Sequence, residues 1–153
     1  MAARVTYYAT ALPRTATTTT DYSVAKVTTS FLPSANKTYA ILWSAVLDGN
    51  DINYSQKVRL QNTTASATLA EEIMDPRNVT IATSTTSAGG LALYTAPASP
   101  VSQTLQMQFA TSNAAMSCGI QEAKIFVIEL IDGVDIWDFS VAEQTTTSAT
   151  YGP

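Results

Sequence analysis

Two runs of the sequence are apolar at successive positions, and they restrict the fold more than any other feature. They read KTYAILWSAVL at residues 37–47 and AKIFVIELI at residues 123–131. Successive side chains of a β-strand point to opposite faces of its sheet. A strand that is apolar on both faces therefore belongs in the middle of a sheet that is covered on both sides. We expect both runs to be central strands.

Between these runs, apolar residues alternate with polar ones, which is typical of half-buried strands. In residues 54–62, Val58 and Leu60 share one face of the predicted strand, whereas Lys57 and Arg59 share the other. Further strand-like runs are residues 5–9, 22–31, 79–82, 91–95 and 103–110. Turn-forming clusters separate the runs about every ten residues, a spacing that favours a sandwich or barrel over βαβ units.

The composition supports an all-β chain. Charged residues make up 13% of the sequence, whereas helical proteins use more Glu, Lys and Arg on their solvated faces. Thr, Ser, Asn and Gln supply the remaining polarity, and Thr favours pleated, half-buried surfaces. We therefore predict an antiparallel, jelly-roll-like β-sandwich with an extended N-terminal arm.

Three segments are less regular. Residues 68–74 fit a short helix or a strand, and we favour a strand because Pro76 would end any helix before Asp75. The sequence DGNDIN at residues 48–53 predicts a turn after the first central strand. The sequence TSTTSAGG at residues 83–90 predicts a flexible loop.

The chain divides into three predicted parts. Residues 1–20 are rich in Thr and form the arm, residues 21–137 form the sandwich, and residues 138–153 form a C-terminal segment. The sequence DYSVAKVTTS at residues 21–30 returns as DFSVAEQTTTS at residues 138–148. The C-terminal segment is therefore either a tail strand homologous to the first strand or the start of a second repeat.

Catalytic side chains are sparse. The chain has no histidine, which removes Ser-His-Asp and Cys-His triads and most zinc sites. Two acidic groups, one of Glu71, Glu72 and Asp75 and one of Asp132, Asp135 and Asp138, look loop-borne and solvated rather than like paired catalytic carboxylates. Lys124 alternates with Glu122 and reads as an exposed position of a strand. We expect no enzyme and no cofactor.

Four residues are candidates for contact with a partner or ligand: Trp137, Asp48, Asn50 and Asp51. The three at residues 48–51 offer oxygen ligands to a cation, but their spacing lacks the EF-hand pattern, so a turn is favoured over a weak cation site and no metal is expected. Trp137 lies in the loop-like VDIWDF and suits contact with a partner subunit better than contact with a sugar. Trp43 lies in a doubly apolar strand and is expected in the core.

The single cysteine, Cys118, cannot form a disulfide within the chain. Its neighbours Met116 and Ile120 continue an apolar alternation, which favours a buried thiol over an intermolecular bridge or a reactive group.

Charge and hydropathy exclude two classes of partner. The net charge is −4, and the eight Lys and Arg residues are scattered, whereas nucleic-acid binding needs clustered positive charge. The N-terminus lacks an apolar run of signal-peptide length, and no run approaches the roughly 18 apolar residues that span a bilayer. We expect a protein made in the cytoplasm, without nucleic-acid or membrane partners.

The order of segments resembles a family of β-sandwich modules in structural proteins of tailed bacteriophages. The matching stretches are TYAILWSAVL, QKVRLQNTTASATLAEEIMDPRN, TLQMQFATSNAAMSCGIQEAKIFVIEL and EQTTTSATYGP, at residues 38–47, 56–78, 104–130 and 143–153. In such modules a central apolar strand precedes a "VRL" strand, an acidic segment that ends near Pro-Arg, and a closing apolar strand. The similarity covers most of the chain from Tyr22 onward.

This resemblance implies a virion protein of the capsid decoration (cement), head-fibre or tail-associated type. Such a protein is a homo-oligomer, often a trimer, and contacts the major capsid protein or other virion proteins. The pattern includes no catalytic residue. The alternative is a tail-associated host-recognition or carbohydrate-binding module that uses loops at residues 48–53, 83–90 and 132–139. The two alternatives differ in whether the partner is a capsid shell or a glycan.

Overall fold

The computed structural model describes residues 4–49, 53–74 and 85–130, in which the chain forms nine strands. The strands are β1 (Arg4–Ala11), β2 (Thr15–Thr17), β3 (Val24–Phe31), β4 (Thr38–Gly49), β5 (Gln56–Asn62), β6 (Ala67–Met74), β7 (Thr85–Thr95), β8 (Gln103–Thr111) and β9 (Cys118–Leu130). No helix in these residues is long and apolar enough to span a membrane.

The strands form two antiparallel sheets. Sheet I has the order β1-β9-β4-β7, with β2 also paired to β9, and sheet II has the order β3-β8-β5-β6. Successive strands cross from one sheet to the other at most connections, which with this strand order makes the sandwich a jelly roll. The predicted all-β, antiparallel sandwich is confirmed.

The core lies between the sheets and follows the predicted alternation. In β4 the inward side chains are Tyr39, Ile41, Trp43, Ala45 and Leu47, all buried. Sheet II contributes Val58, Leu60, Leu105, Met107 and Phe109 from its two central strands. The prediction that Trp43 belongs to the core is confirmed, and its indole lies beside Gly90 of β7.

Both doubly apolar runs lie in the middle of sheet I, as predicted. Strand β9 pairs with β1 and β2 on one side and with β4 on the other, and β4 also pairs with β7. Sheet II covers the inner faces of β4 and β9. The segment at residues 68–74 is a strand, as favoured from its sequence.

Two predicted segments differ from the structure. The sequence predicts a flexible loop at residues 83–90, but residues 85–90 form the first half of β7 because β4 supplies pairing partners from Asp48 to Trp43. The segment predicted as an arm is extended, but its described residues lie along β9 of the same chain, with Arg4–Ala11 and Thr15–Thr17 as strands of sheet I. The C-terminal segment at residues 138–153 and the strand predicted at residues 79–82 lie outside the described residues.

Candidate functional site

The outer face of sheet I carries an apolar row that crosses all four long strands. Strand pairing aligns Tyr8 of β1, Phe126 of β9, Leu42 of β4 and Leu91 of β7. Tyr8 is 51% exposed and Leu91 is 46% exposed. The Tyr8 and Phe126 rings are in contact, with centroids 4.6 Å apart. The row is therefore a continuous apolar strip on the surface of the described chain.

A second apolar row lies beside the first on the same face. It aligns Ile128 of β9, Ala40 of β4 and Leu93 of β7. Leu93 is 62% exposed, whereas Ala40 is fully buried beneath its longer neighbours. The two rows together form the surface that we call the apolar face.

An open hollow of about 470 Å³ borders the first row, on the side away from the second row. Its lining includes Leu42, Ser44, Leu91 and Phe126. Ser44 of β4 faces Gly89 of β7, so on these two strands short side chains lie next to the larger Leu42 and Leu91 of the first row. Gly89 is required there, since an added Cβ would lie 2.8 Å from the backbone oxygen of Trp43.

The outer face of sheet II is polar, and its side chains bond to one another. The Tyr22 hydroxyl donates to a Glu71 carboxylate oxygen at 2.6 Å, and the Arg59 guanidinium lies over the Tyr22 ring, 4.5 Å from its centroid. Arg59 Nε also donates to Gln108 Oε1 at 2.8 Å. Burial and the bond to Glu71 raise the pKa of Tyr22, so the phenol stays protonated at neutral pH. We call these residues the polar cluster.

Asp48 is the one predicted contact residue whose position the structure describes. It is 5% exposed, and it accepts hydrogen bonds from Arg14 Nε at 2.8 Å and from an Arg14 terminal nitrogen at 2.7 Å. Gln121 Nε2 donates a further hydrogen bond to it at 3.1 Å. N–H donors thus occupy both carboxylate oxygens, and Asp48 ties the β1–β2 connection to the end of β4 instead of presenting oxygens to a cation.

The hydrogen bonds from Arg14 lower the pKa of Asp48, against the opposite effect of its burial. A folded-state pKa below the unfolded value of about 3.9 means that the charged form stabilises the fold above that pH and that this contribution is lost as the pH falls through the lowered value.

We expect Asp48→Asn to lower the free energy of unfolding by about 1–3 kcal/mol at pH 7. The deficit should shrink below pH 4, which urea unfolding at several pH values will measure. A deficit independent of pH would contradict the assignment.

The remaining predicted residues divide by position. Trp137, Asn50 and Asp51 lie outside the described residues, as do Asp75 and the aspartates at 132, 135 and 138. Glu71 and Glu72 lie on β6 rather than in the predicted loop, because residues 67–74 pair with β5. Lys124 lies on strand β9, as its alternation with Glu122 predicted, and it forms an ion pair with Glu122 at 2.7 Å. Among the described residues, no three His, Cys, Asp or Glu side chains form a group that could hold a metal ion.

Cys118 is fully buried at the start of β9, as favoured from its apolar neighbours. Burial raises the pKa of its thiol to about 12. The thiol is therefore protonated and shielded at neutral pH, which suits a packing role.

Sequence reasoning missed the polar cluster and the Arg14–Asp48 pair. Tyr22 and Glu71 are far apart in the sequence and meet only because β3 and β6 belong to one sheet. The apolar face, by contrast, had a signal in the outward Leu42, Phe126 and Ile128 of the two doubly apolar runs. These outward apolar residues predicted that the outer face of the sheet is covered, but not which part of a protein covers it.

No family model matches the sequence, and no curated protein sequence is similar to it. Solved structures that match this chain include VP2 of infectious bursal disease virus in its subviral particle, with 13% identity over 82% of this chain and a TM-score of 0.47. The Gx strain of the same virus gives 14% identity over 85% of this chain and a TM-score of 0.46. Dimeric latent PorU from Porphyromonas gingivalis gives 8% identity over 84% of this chain and a TM-score of 0.44. This chain spans 32%, 33% and 13% of those chains, respectively.

Proposed function

We propose that this protein is a bacteriophage virion structural protein, of the capsid decoration (cement) or head-fibre base type. The observation that carries the proposal is the apolar face of sheet I. A continuous apolar surface on a folded domain marks a site of protein–protein contact. Tyr8, Leu91 and Leu93 lie there with large exposed fractions, although the sandwich already has a closed core.

The composition suits a protein that works through its surfaces. With 13% charged residues, large areas can be buried between subunits without leaving ionised groups unpaired. The strands at the sheet edges also offer backbone donors and acceptors to neighbouring chains. Assembly then adds stability to a small sandwich, because association stabilises the folded state.

The polar cluster favours a second candidate, a tail-associated host-recognition or carbohydrate-binding module. Tyr22, Arg59 and Gln108 of this cluster combine an aromatic ring with guanidinium and amide groups held in fixed positions, and Gln108 Nε2 also donates to Oε1 of the neighbouring Gln106 at 2.8 Å. Aromatic and amide side chains of this kind orient polar ligands in binding sites. In this case a glycan array would give specific binding that Tyr22→Ala abolishes.

Co-sedimentation separates the two candidates. The purified protein is mixed with phage capsids stripped of decoration proteins, and its mass is measured by light scattering before and after mixing. We expect saturable binding to shells by an oligomer, with the major capsid protein as the partner that the resemblance implies. A protein that ignores shells and binds glycans would overturn the decoration role and support the tail module.

A further inference from the structure

We propose that a second copy of this chain covers the apolar face, packed sheet to sheet about a two-fold axis. This inference rests on the proposed function, in that it names the partner of the same contact surface. Three properties of the face support it: charge, shape and area.

The charged side chains that the structure describes on this face are already paired within the chain. Glu122 pairs with Lys124 near the hollow, and Asp48 pairs with Arg14 at the end of β4. The face is therefore neutral and offers no charge for an acidic or basic partner to recognise. A neutral apolar face is instead matched by an identical neutral apolar face.

The face has two unlike halves that complement each other. The half formed by β1 and β9 carries the aromatic rings of Tyr8 and Phe126, and the half formed by β4 and β7 carries Leu42, Leu91 and the hollow. A two-fold axis that runs along the strands between β9 and β4 places the aromatic half of one copy over the aliphatic half of the other. Each copy then places its rings over the partner's Leu42, Leu91 and the hollow, which gives a self-complementary two-fold contact.

The area is sufficient for a specific contact. The face spans four strands and the outward positions of β4 from Thr38 to Ser44. At standard strand spacings this is roughly 500 Å² per copy, or about 1,000 Å² in total, which is the size that a biological interface is expected to reach. Aligned packing of two such faces matches the geometry of sandwich interiors.

The test compares two matched glutamate variants by light scattering and sedimentation. Leu93 and Ile73 are both 62% exposed and both lie on edge strands, Leu93 in sheet I and Ile73 in sheet II. We expect the wild-type protein and Ile73→Glu to be dimers. Leu93→Glu should raise the dimer dissociation constant at least tenfold, because it buries an unpaired carboxylate. An unchanged dimer in Leu93→Glu would overturn the inference, and unfolding curves will show that each variant is folded.

Cysteine cross-linking tests the orientation. In the double variant Tyr8→Cys/Leu91→Cys the two new thiols of opposite copies meet across the axis, whereas Cys118 is buried and does not compete. We expect oxidation to link the double variant into covalent dimers and to leave both single variants unlinked. If the wild-type protein is a monomer or a trimer and binds shells, the proposed dimer is wrong and the proposed virion role is supported. If the protein is a dimer that does not bind shells, the proposed contact between copies is supported and the proposed virion role is wrong.

Discussion

Replacing Phe31 by alanine is expected to lower the free energy of unfolding by about 3–5 kcal/mol, because it empties a large aromatic site in the core. Phe31 ends β3 of sheet II and packs against three tyrosines of sheet I. Its ring centroid lies 5.6 Å from that of Tyr7, 5.4 Å from that of Tyr39 and 6.0 Å from that of Tyr94. The side chain is 2% exposed, so its removal leaves a cavity between the sheets.

Chemical denaturation will measure this loss, with Phe31→Leu as the control. Leucine retains much of the apolar volume, and we expect it to cost less than about 2 kcal/mol. A loss below about 1 kcal/mol for Phe31→Ala would show that the aromatic cluster does not join the sheets energetically.

Gly119→Ala is expected to lower the free energy of unfolding by about 3 kcal/mol, although it adds a single methyl group. A Cβ at residue 119 would lie 2.3 Å from Asp48 Oδ1 and 2.6 Å from Arg14 Nε. The ion pair lies directly over the glycine, so a methyl group must displace it. A displaced Arg14 leaves the Asp48 carboxylate buried with fewer donors, which is costly.

A double-mutant cycle separates the crowding from the loss of the ion pair. Asp48→Ala removes the carboxylate that the new methyl group would meet. In that background we expect Gly119→Ala to cost about 1 kcal/mol or less. Additive losses in the double variant would mean that the glycine is needed for another reason.

The strand pattern could be predicted from the sequence because it depends on local alternation. Residues 54–62 and 103–110 alternate cleanly, and their inward side chains, such as Leu60 and Met107, are fully buried in the structure. The doubly apolar runs indicated the central strands for the same reason. A two-residue period is a property of the strand itself and needs no knowledge of its partners.

The features that were missed depend on residues distant in sequence. Gly89 and Gly90 are typical of a loop, yet they lie within β7 because β4 offers a complete ladder of pairing partners. Tertiary pairing outweighs local preference there. Arg14 and Asp48 pair because β2 and β4 flank the same end of β9. Neither relation leaves a periodic signal.

The apolar face could be predicted from the sequence only in part. The outward Leu42, Phe126 and Ile128 could be identified from the two central runs, but the hollow beside them could not. The residues that line the hollow come from β4, β7 and β9, and the pairing that brings these strands together becomes known only with the fold.

The place of β9 in sheet I has a consequence for how the chain folds as the ribosome makes it. Residues 118–130 emerge after all the other described strands, yet β1, β2 and β4 all need them as hydrogen-bonding partners. Before then, β1 and β2 have no pairing partner among the described strands, and the apolar strand β4 has unpaired backbone groups along one edge. Such nonlocal closure is slow, and open apolar edges in nascent chains favour aggregation. Sheet I therefore cannot close until residues 118–130 have been made, and chains that stop before residue 118 should accumulate as insoluble material.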